Sequence, residues 1–144
     1  MMLTFVLAMF LSQSPEDAMR QMQLSHIEAN VPPEADFGRF LQRDLDKYFK
    51  AKRSNPFKLT YEFLRIGATQ TGIAYPKFYL WVQISEKGKV VEQGAVRLAA
   101  IEKKEFQITD FVPEAAIRAD STGIYKVFPA PVCDTIKQRL GLAR

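Results

Sequence analysis

The feature that most constrains the fold of this chain is a change of hydrophobic period at Pro56. On the amino-terminal side of that proline, apolar residues recur at intervals of three and four: Phe37, Phe40, Leu41, Leu45, Tyr48 and Phe49. On the other side, between residues 57 and 112, four segments alternate apolar and polar residues and are separated by short breaks. Because the first period is that of a helix and the second that of a strand, we expect an amphipathic helix to pack across a sheet.

The alternating segments predict four strands, at residues 58–63, 78–84, 90–101 and 106–112. Short turns separate the later strands, so neighbouring strands are expected to be antiparallel. Apolar side chains occur on both sides of the second strand, which indicates that both faces of the sheet are covered. Gly94 lies inside the third strand and predicts a bulge or a sharp bend there.

Helices are predicted on both sides of the sheet in the sequence. Ser14 is a good N-cap and Pro15 suits the first helical position, so a helix is expected over residues 15–27. The amphipathic helix should end before Ser54 because Pro56 follows closely. Shorter helices are expected after the sheet, at residues 113–118, 121–128 and 131–140.

The predicted fold class is α+β, with N-terminal helices packed on a four-stranded antiparallel meander and short C-terminal helices. This layout resembles the cystatin-like rolls, including the NTF2-like group. The resemblance extends to the order of helix and strands alone, so it implies a fold and carries no function.

The first residues, 1–14, include an apolar run at positions 3–11. The run is too short to span a bilayer as a helix, and no transmembrane span is predicted, although its length matches the central part of a secretory signal. A signal or an anchor is one prediction, and an apolar segment docked on the domain is the alternative. Export or a place in the cell envelope is therefore favoured slightly over the cytoplasm, and residues 15–144 are expected to form one domain.

Residues with catalytic or metal-binding chemistry are sparse. Cys133 is the only cysteine and His26 the only histidine, so no internal disulfide can form and no metal site is predicted. The break at residues 67–72 lacks the Gly-Lys-Ser/Thr ending of a phosphate-binding loop. Cys133 is expected to pack in the core rather than to react. We predict no cofactor, and binding fits the chain better than catalysis.

Aromatic and charged residues fall together on the second face of the predicted sheet. Tyr79, Trp81, Arg97 and Asp110 are the candidate ligand-binding residues, and Tyr61 is expected on the same face. An open face with these groups would hold a small molecule or a peptide. The favoured alternative is that the C-terminal helices cover it.

The excess positive charge of the chain lies in one segment. Residues 36–58 contain seven basic and three acidic residues, a difference that equals the net charge of +4 of the whole chain. Lys47, Lys50, Lys52 and Arg53 are the candidate anion-binding residues. The favoured alternative is a solvated helix end whose cations compensate the helix dipole. Nucleic acid is not the expected partner, because the neighbouring aromatic residues belong to the buried stripe.

These patterns support three functional hypotheses. The first is a non-catalytic binding or interaction module with a protein or small-molecule partner. The second is a small enzyme or ligand carrier with a pocket between the curved sheet and the helices. The third, ranked lowest, is binding of an anionic polymer through the basic helix end.

Overall fold

The computed structural model describes residues 14–143, which form helices and one four-stranded sheet. The helices are α1 (Pro15–Asn30), α2 (Glu34–Lys50), α3 (Glu114–Ala119), a short 3-10 helix (Gly123–Lys126) and α4 (Ala130–Leu140). The strands are β1 (Lys58–Phe63), β2 (Lys77–Glu86), β3 (Lys89–Ile101) and β4 (Glu105–Pro113). The strand order is β1-β2-β3-β4 and every neighbouring pair is antiparallel, which confirms the predicted α+β meander.

The first face of the sheet packs on α2. Leu41, Leu45 and Phe49 of the helix are at most 1% exposed. They meet alternate side chains from all four strands, namely Leu59, Phe78, Leu80, Val82, Ile84, Val96, Leu98, Ala100 and Phe106. Burying one such large apolar side chain stabilises the folded state by about 1.5–3 kcal/mol. The predicted helical stripe is therefore confirmed as one wall of the main hydrophobic core.

The second face of the sheet packs on the C-terminal helices, as the favoured alternative expected. Its cluster joins Leu64, Tyr79, Trp81 and Ala95 to residues of α3, the 3-10 helix, α4 and the segment between them, namely Ile117, Ile124, Phe128, Val132, Cys133 and Ile136. α4 ends at Gly141, whose φ of 68° is left-handed and suits glycine. Both faces of the sheet are thus buried.

α1 lies at the periphery, and it is joined to the sheet through its last residue. Ser14 caps the helix by accepting a hydrogen bond from the backbone N–H of Asp17, as predicted. Asn30 is buried, and it accepts hydrogen bonds from the backbone N–H groups of Glu102 and Lys103. Those two residues have φ values of 52° and 63°, so Asn30 stabilises a left-handed turn built without glycine.

The N-terminal apolar run at residues 3–11 lies outside the described residues, so the predictions of a signal, an anchor or a docked segment remain predictions. Within residues 14–143, no helix combines the length and the apolar character that crossing a membrane requires.

The prediction of a bulge at Gly94 is wrong. Gly94 pairs in regular register with Val82 of β2 and Pro113 of β4, and the irregularities lie at Ile84–Ser85 and Arg97–Leu98. Glycine is needed at position 94 for a different reason, close backbone approach: a Cβ atom there would lie 2.5 Å from the carbonyl oxygen of Val112.

Replacing Gly94 therefore tests the packing of β3 against β4. We expect Gly94→Ala to lower the free energy of unfolding by about 1–3 kcal/mol, because backbone atoms must move to admit the methyl group. Gly123→Ala is the matched control, since nothing lies within 4 Å of a Cβ there, and it should stay within about 0.5 kcal/mol. Urea denaturation measures both, and equal stability of the two variants would contradict the close approach.

Candidate functional site

Tyr79, Arg97 and Asp110 do lie in one row across β2, β3 and β4, because they are register partners. Tyr79 and Trp81 are only 4% and 1% exposed, however, and both belong to the second core cluster. The structure therefore brings these residues together beneath the C-terminal helices. As a ligand site they remain a prediction, and the two aromatic rings offer almost no surface to a ligand.

The polar groups of Tyr79, Trp81, Arg97 and Asp110 already have hydrogen-bond partners within the protein. The guanidinium of Arg97 donates to Asp110 Oδ2 through Nε at 2.8 Å and to the Val127 carbonyl through Nη1 at 3.1 Å. The Tyr79 hydroxyl lies 2.7 Å from Thr69 Oγ1, and Trp81 Nε1 donates to Gln93 Oε1 at 3.2 Å. These bonds satisfy buried polar groups and stabilise the packing of the second face.

Tyr61 does not share this face. It pairs with Val82, whose side chain belongs to the first core, and the Tyr61 ring packs on the edge of that cluster beside Phe63. The expectation that Tyr61 projects from the second face is wrong because residues paired across two strands point to the same face of the sheet.

The four candidate anion-binding residues are divided between the two sides of α2. Lys50 and Arg53 line a groove beside β1, whereas Lys47 and Lys52 line another beside β4. Lys52 Nζ donates to the Tyr48 hydroxyl at 2.6 Å. The four cations therefore do not converge on one surface.

Arg53 has a structural partner on each branch of its guanidinium. Nη2 lies 2.7 Å from Glu86 Oε1, and Nη1 lies 3.2 Å from Glu92 Oε1, while the side chain is 18% exposed. These ion pairs connect the linker after α2 to the hairpin of β2 and β3. The positive charge of the Arg53 guanidinium is therefore balanced by these glutamates and is not available to an anionic ligand.

The groove beside β1 has a volume of about 910 Å³. Its floor and walls combine the end of α2, the linker that follows it and the first residues of β1. Phe57 and Tyr61 contribute half-buried rings, and Lys50 and Lys58 contribute exposed ammonium groups. Among the described residues, no ion pair engages either ammonium group. A groove of this size suits a peptide side-chain row or a small organic ligand.

β1 lies at an edge of the sheet, and its backbone orientation follows from two hydrogen bonds. The carbonyl of Leu59 accepts from Gln42 Nε2 of α2 at 3.1 Å, so it points away from β2. The N–H of Leu64 donates to the Tyr79 carbonyl at 2.9 Å, toward β2. Because successive residues of a strand point their backbone groups to opposite sides, Tyr61 and Phe63 present theirs to the free edge.

Sequence reasoning missed the side chains that hold the sheet edges to α2. Gln42 bonds to Leu59 on β1, and Asp44 Oδ2 accepts the N–H of Phe106 on β4 at 2.7 Å. Both residues read as ordinary solvent-facing positions of an amphipathic helix. The one signal in the sequence was that both side chains are polar and flank the apolar stripe of a helix that was expected to lie across the sheet. Such side chains can reach the backbone of the edge strands.

The residues with metal-binding or nucleophilic chemistry lie apart from one another in the described part of the chain. Within residues 14–143, no group of three or more His, Cys, Asp or Glu side chains is placed to hold a metal ion. Cys133 is fully buried and its Sγ donates to the Phe128 carbonyl at 3.4 Å, which agrees with the expected packing role. Burial raises the pKa of the Cys133 thiol, and the Asp134 carboxylate adds to the rise.

Comparison with protein-family models, curated proteins and solved structures found no match for this chain. The site is therefore interpreted from its own geometry.

Removing Arg53 tests whether its charge serves the fold. We expect Arg53→Met to lower the free energy of unfolding by about 1–3 kcal/mol, because Glu86 and Glu92 lose their partner in a partly buried site. Lys50→Met, an exposed cation three residues earlier, should stay within about 0.5 kcal/mol. Thermal denaturation compares the two, and an equal effect would show that Arg53 contributes no more than a surface charge.

Alkylation tests the burial of Cys133. Near neutral pH, the native protein should react with iodoacetamide more than about tenfold slower than protein unfolded in guanidinium chloride, because burial and the raised pKa both reduce the accessible thiolate. Mass spectrometry over time gives both rates. Similar rates in the two states would mean that the thiol is exposed.

Proposed function

We propose that this protein is a non-catalytic binding module that captures an extended peptide segment along the free edge of β1. The observation that carries the proposal is that the 910 Å³ groove is lined by Tyr61, whose backbone groups face away from β2, as do those of Phe63 farther along the same edge. A segment laid along this edge would extend the sheet by one strand. Main-chain hydrogen bonds then supply affinity, and the groove receives alternate side chains.

The lining of the groove favours a segment with acidic residues near the Lys50 end. Arg53 is paired with two glutamates, and Asp46 Oδ1 accepts a hydrogen bond from Gln42 Nε2 at 3.0 Å. Lys50 and Lys58 are the cations available to a ligand, and they outnumber the Asp46 carboxylate, which keeps its charge because Gln42 is a neutral donor. The half-buried rings of Phe57 and Tyr61 suit apolar side chains in the same segment. Such charge complementarity contributes mainly to specificity and to the rate of association.

This proposal keeps the first of the sequence-based hypotheses, a non-catalytic binding module, but assigns binding to a different surface. The second face, with Tyr79 and Trp81, is occupied by the C-terminal helices, so the proposal uses the edge of the sheet instead. An exported or envelope location stays part of the proposal, as does the layout resemblance to cystatin-like and NTF2-like rolls. The argument for peptide binding depends on neither the location nor the resemblance.

Titration with designed peptides tests the proposal. The probes are peptides of about ten residues in which Val and Thr alternate. One acidic peptide carries two Glu at its N-terminus and another carries them at its C-terminus. In the matched basic peptides, Lys replaces each Glu. The acidic peptides should bind at least about tenfold more tightly than the basic ones. They should also slow hydrogen exchange at the amides of Tyr61 and Phe63, which NMR spectroscopy of labelled protein measures.

Charge reversal supplies the control. Lys50→Glu combined with Lys58→Glu should exchange the preference from acidic to basic peptides, whereas Lys47→Glu, on the other side of α2, should leave it unchanged. The proposal fails if the Tyr61 and Phe63 amides are unaffected by every peptide, or if the Lys47 variant exchanges the preference as well.

A further inference from the structure

The loop between β1 and β2, residues 64–76, presents apolar side chains to solvent. Ile66 and Ile73 are each 96% exposed, the highest values among the exposed large apolar residues of residues 14–143. Tyr75 in the same loop and Phe63 beside it are 41% and 45% exposed. Exposed apolar groups gathered in one segment mark an interaction surface more often than scattered ones do.

Hydrogen bonds within the loop hold its backbone in place. Nη1 of Arg65 donates to the carbonyls of Ile66, Gly67 and Ala68 at 3.2, 3.0 and 2.9 Å. Gln70 Nε2 donates to the carbonyls of Gly72 and Ala74, the first at 3.2 Å. These side chains satisfy five carbonyl groups that would otherwise need water. Moving the loop into a less polar medium therefore leaves fewer unpaired backbone groups and costs less free energy.

The charge of the loop has one sign. The sequence from Leu64 to Ser85 contains no acidic residue, and its cations are Arg65 and Lys77. Lys77 Nζ donates to the Tyr75 carbonyl at 2.7 Å, so this ammonium group lies at the base of the loop. Two cations beside exposed isoleucine and tyrosine side chains complement an anionic surface that has an apolar layer beneath it.

We propose that the 64–76 loop binds the surface of an anionic lipid bilayer, with Ile66 and Ile73 inserted below the headgroups and Arg65 and Lys77 among the phosphates. An acidic protein surface would satisfy the cations, but it would offer no apolar layer to two isoleucine side chains that are each 96% exposed. Two fully exposed β-branched side chains on a hydrogen-bonded loop suit shallow insertion better. This surface is separate from the groove beside β1, so the proposal does not depend on peptide binding.

Vesicle sedimentation with the full chain tests the proposal. The probes are vesicles of phosphatidylcholine alone and of equimolar phosphatidylcholine and phosphatidylglycerol. The protein should sediment with the anionic vesicles, and salt should weaken the binding. The double variant Ile66→Ser and Ile73→Ser should partition at least about tenfold less, because two inserted apolar side chains are lost.

The matched control is Val90→Ser with Val91→Ser. These valines are 52% and 48% exposed, and they follow the β2–β3 turn at the opposite end of β2, about 30 Å away along the strand. This variant should bind as the unaltered protein does. Circular dichroism checks that both variants fold, which their exposed positions favour. The proposal is overturned if the protein ignores anionic vesicles, if the isoleucine variant binds undiminished, or if the valine variant weakens binding equally.

Discussion

Burial of the apolar stripe of α2 against the first face of the sheet is the interaction on which the rest of the structure depends. Leu41, Leu45 and Phe49 meet side chains from all four strands, so one helix holds the whole meander together. Gln42 and Asp44, on the flanks of the same helix, bond to the backbone of the two edge strands. These polar contacts help to fix how α2 lies across the sheet, because each one joins a side chain of the helix to a single backbone group of an edge strand.

The same packing decides which surfaces remain for binding. α2 occupies one face of the sheet and the C-terminal helices occupy the other, so the central side chains of both faces are buried. What remains are the strand edges and the loops. The groove beside β1 combines unpaired backbone groups with Lys50 and Lys58, and the loop at residues 64–76 combines exposed isoleucines with Arg65 and the adjoining Lys77. Both proposals arise from this restriction, one using the free edge of β1 and the other the loop that follows the strand.

The components of the candidate site were visible in the sequence only one at a time. Lys50 stood out as part of a basic helix end. The other residues of the same groove come from elsewhere, Lys58 from a strand and Gln42 from an earlier turn of the helix. Periodicity places a residue on a face of its own element, and it does not say which elements become neighbours. For the same reason, Tyr79, Arg97 and Asp110 were correctly placed on a shared face, but whether that face stays open depends on helices distant in the chain.

The sequence alone determined the fold class, the order of the strands and the residues of the helical stripe, because these follow from local periods of three to four and of two. Proline and glycine positions likewise indicated where α1, β4 and α4 end, near Pro32, Pro113 and Gly141. Only the tertiary structure decided the role of Gly94, the direction of Tyr61 and the ion pairs of Arg53. Each of these depends on backbone or side-chain atoms of another element that lie within a few ångströms. A local sequence pattern contains no information about which distant element comes so close.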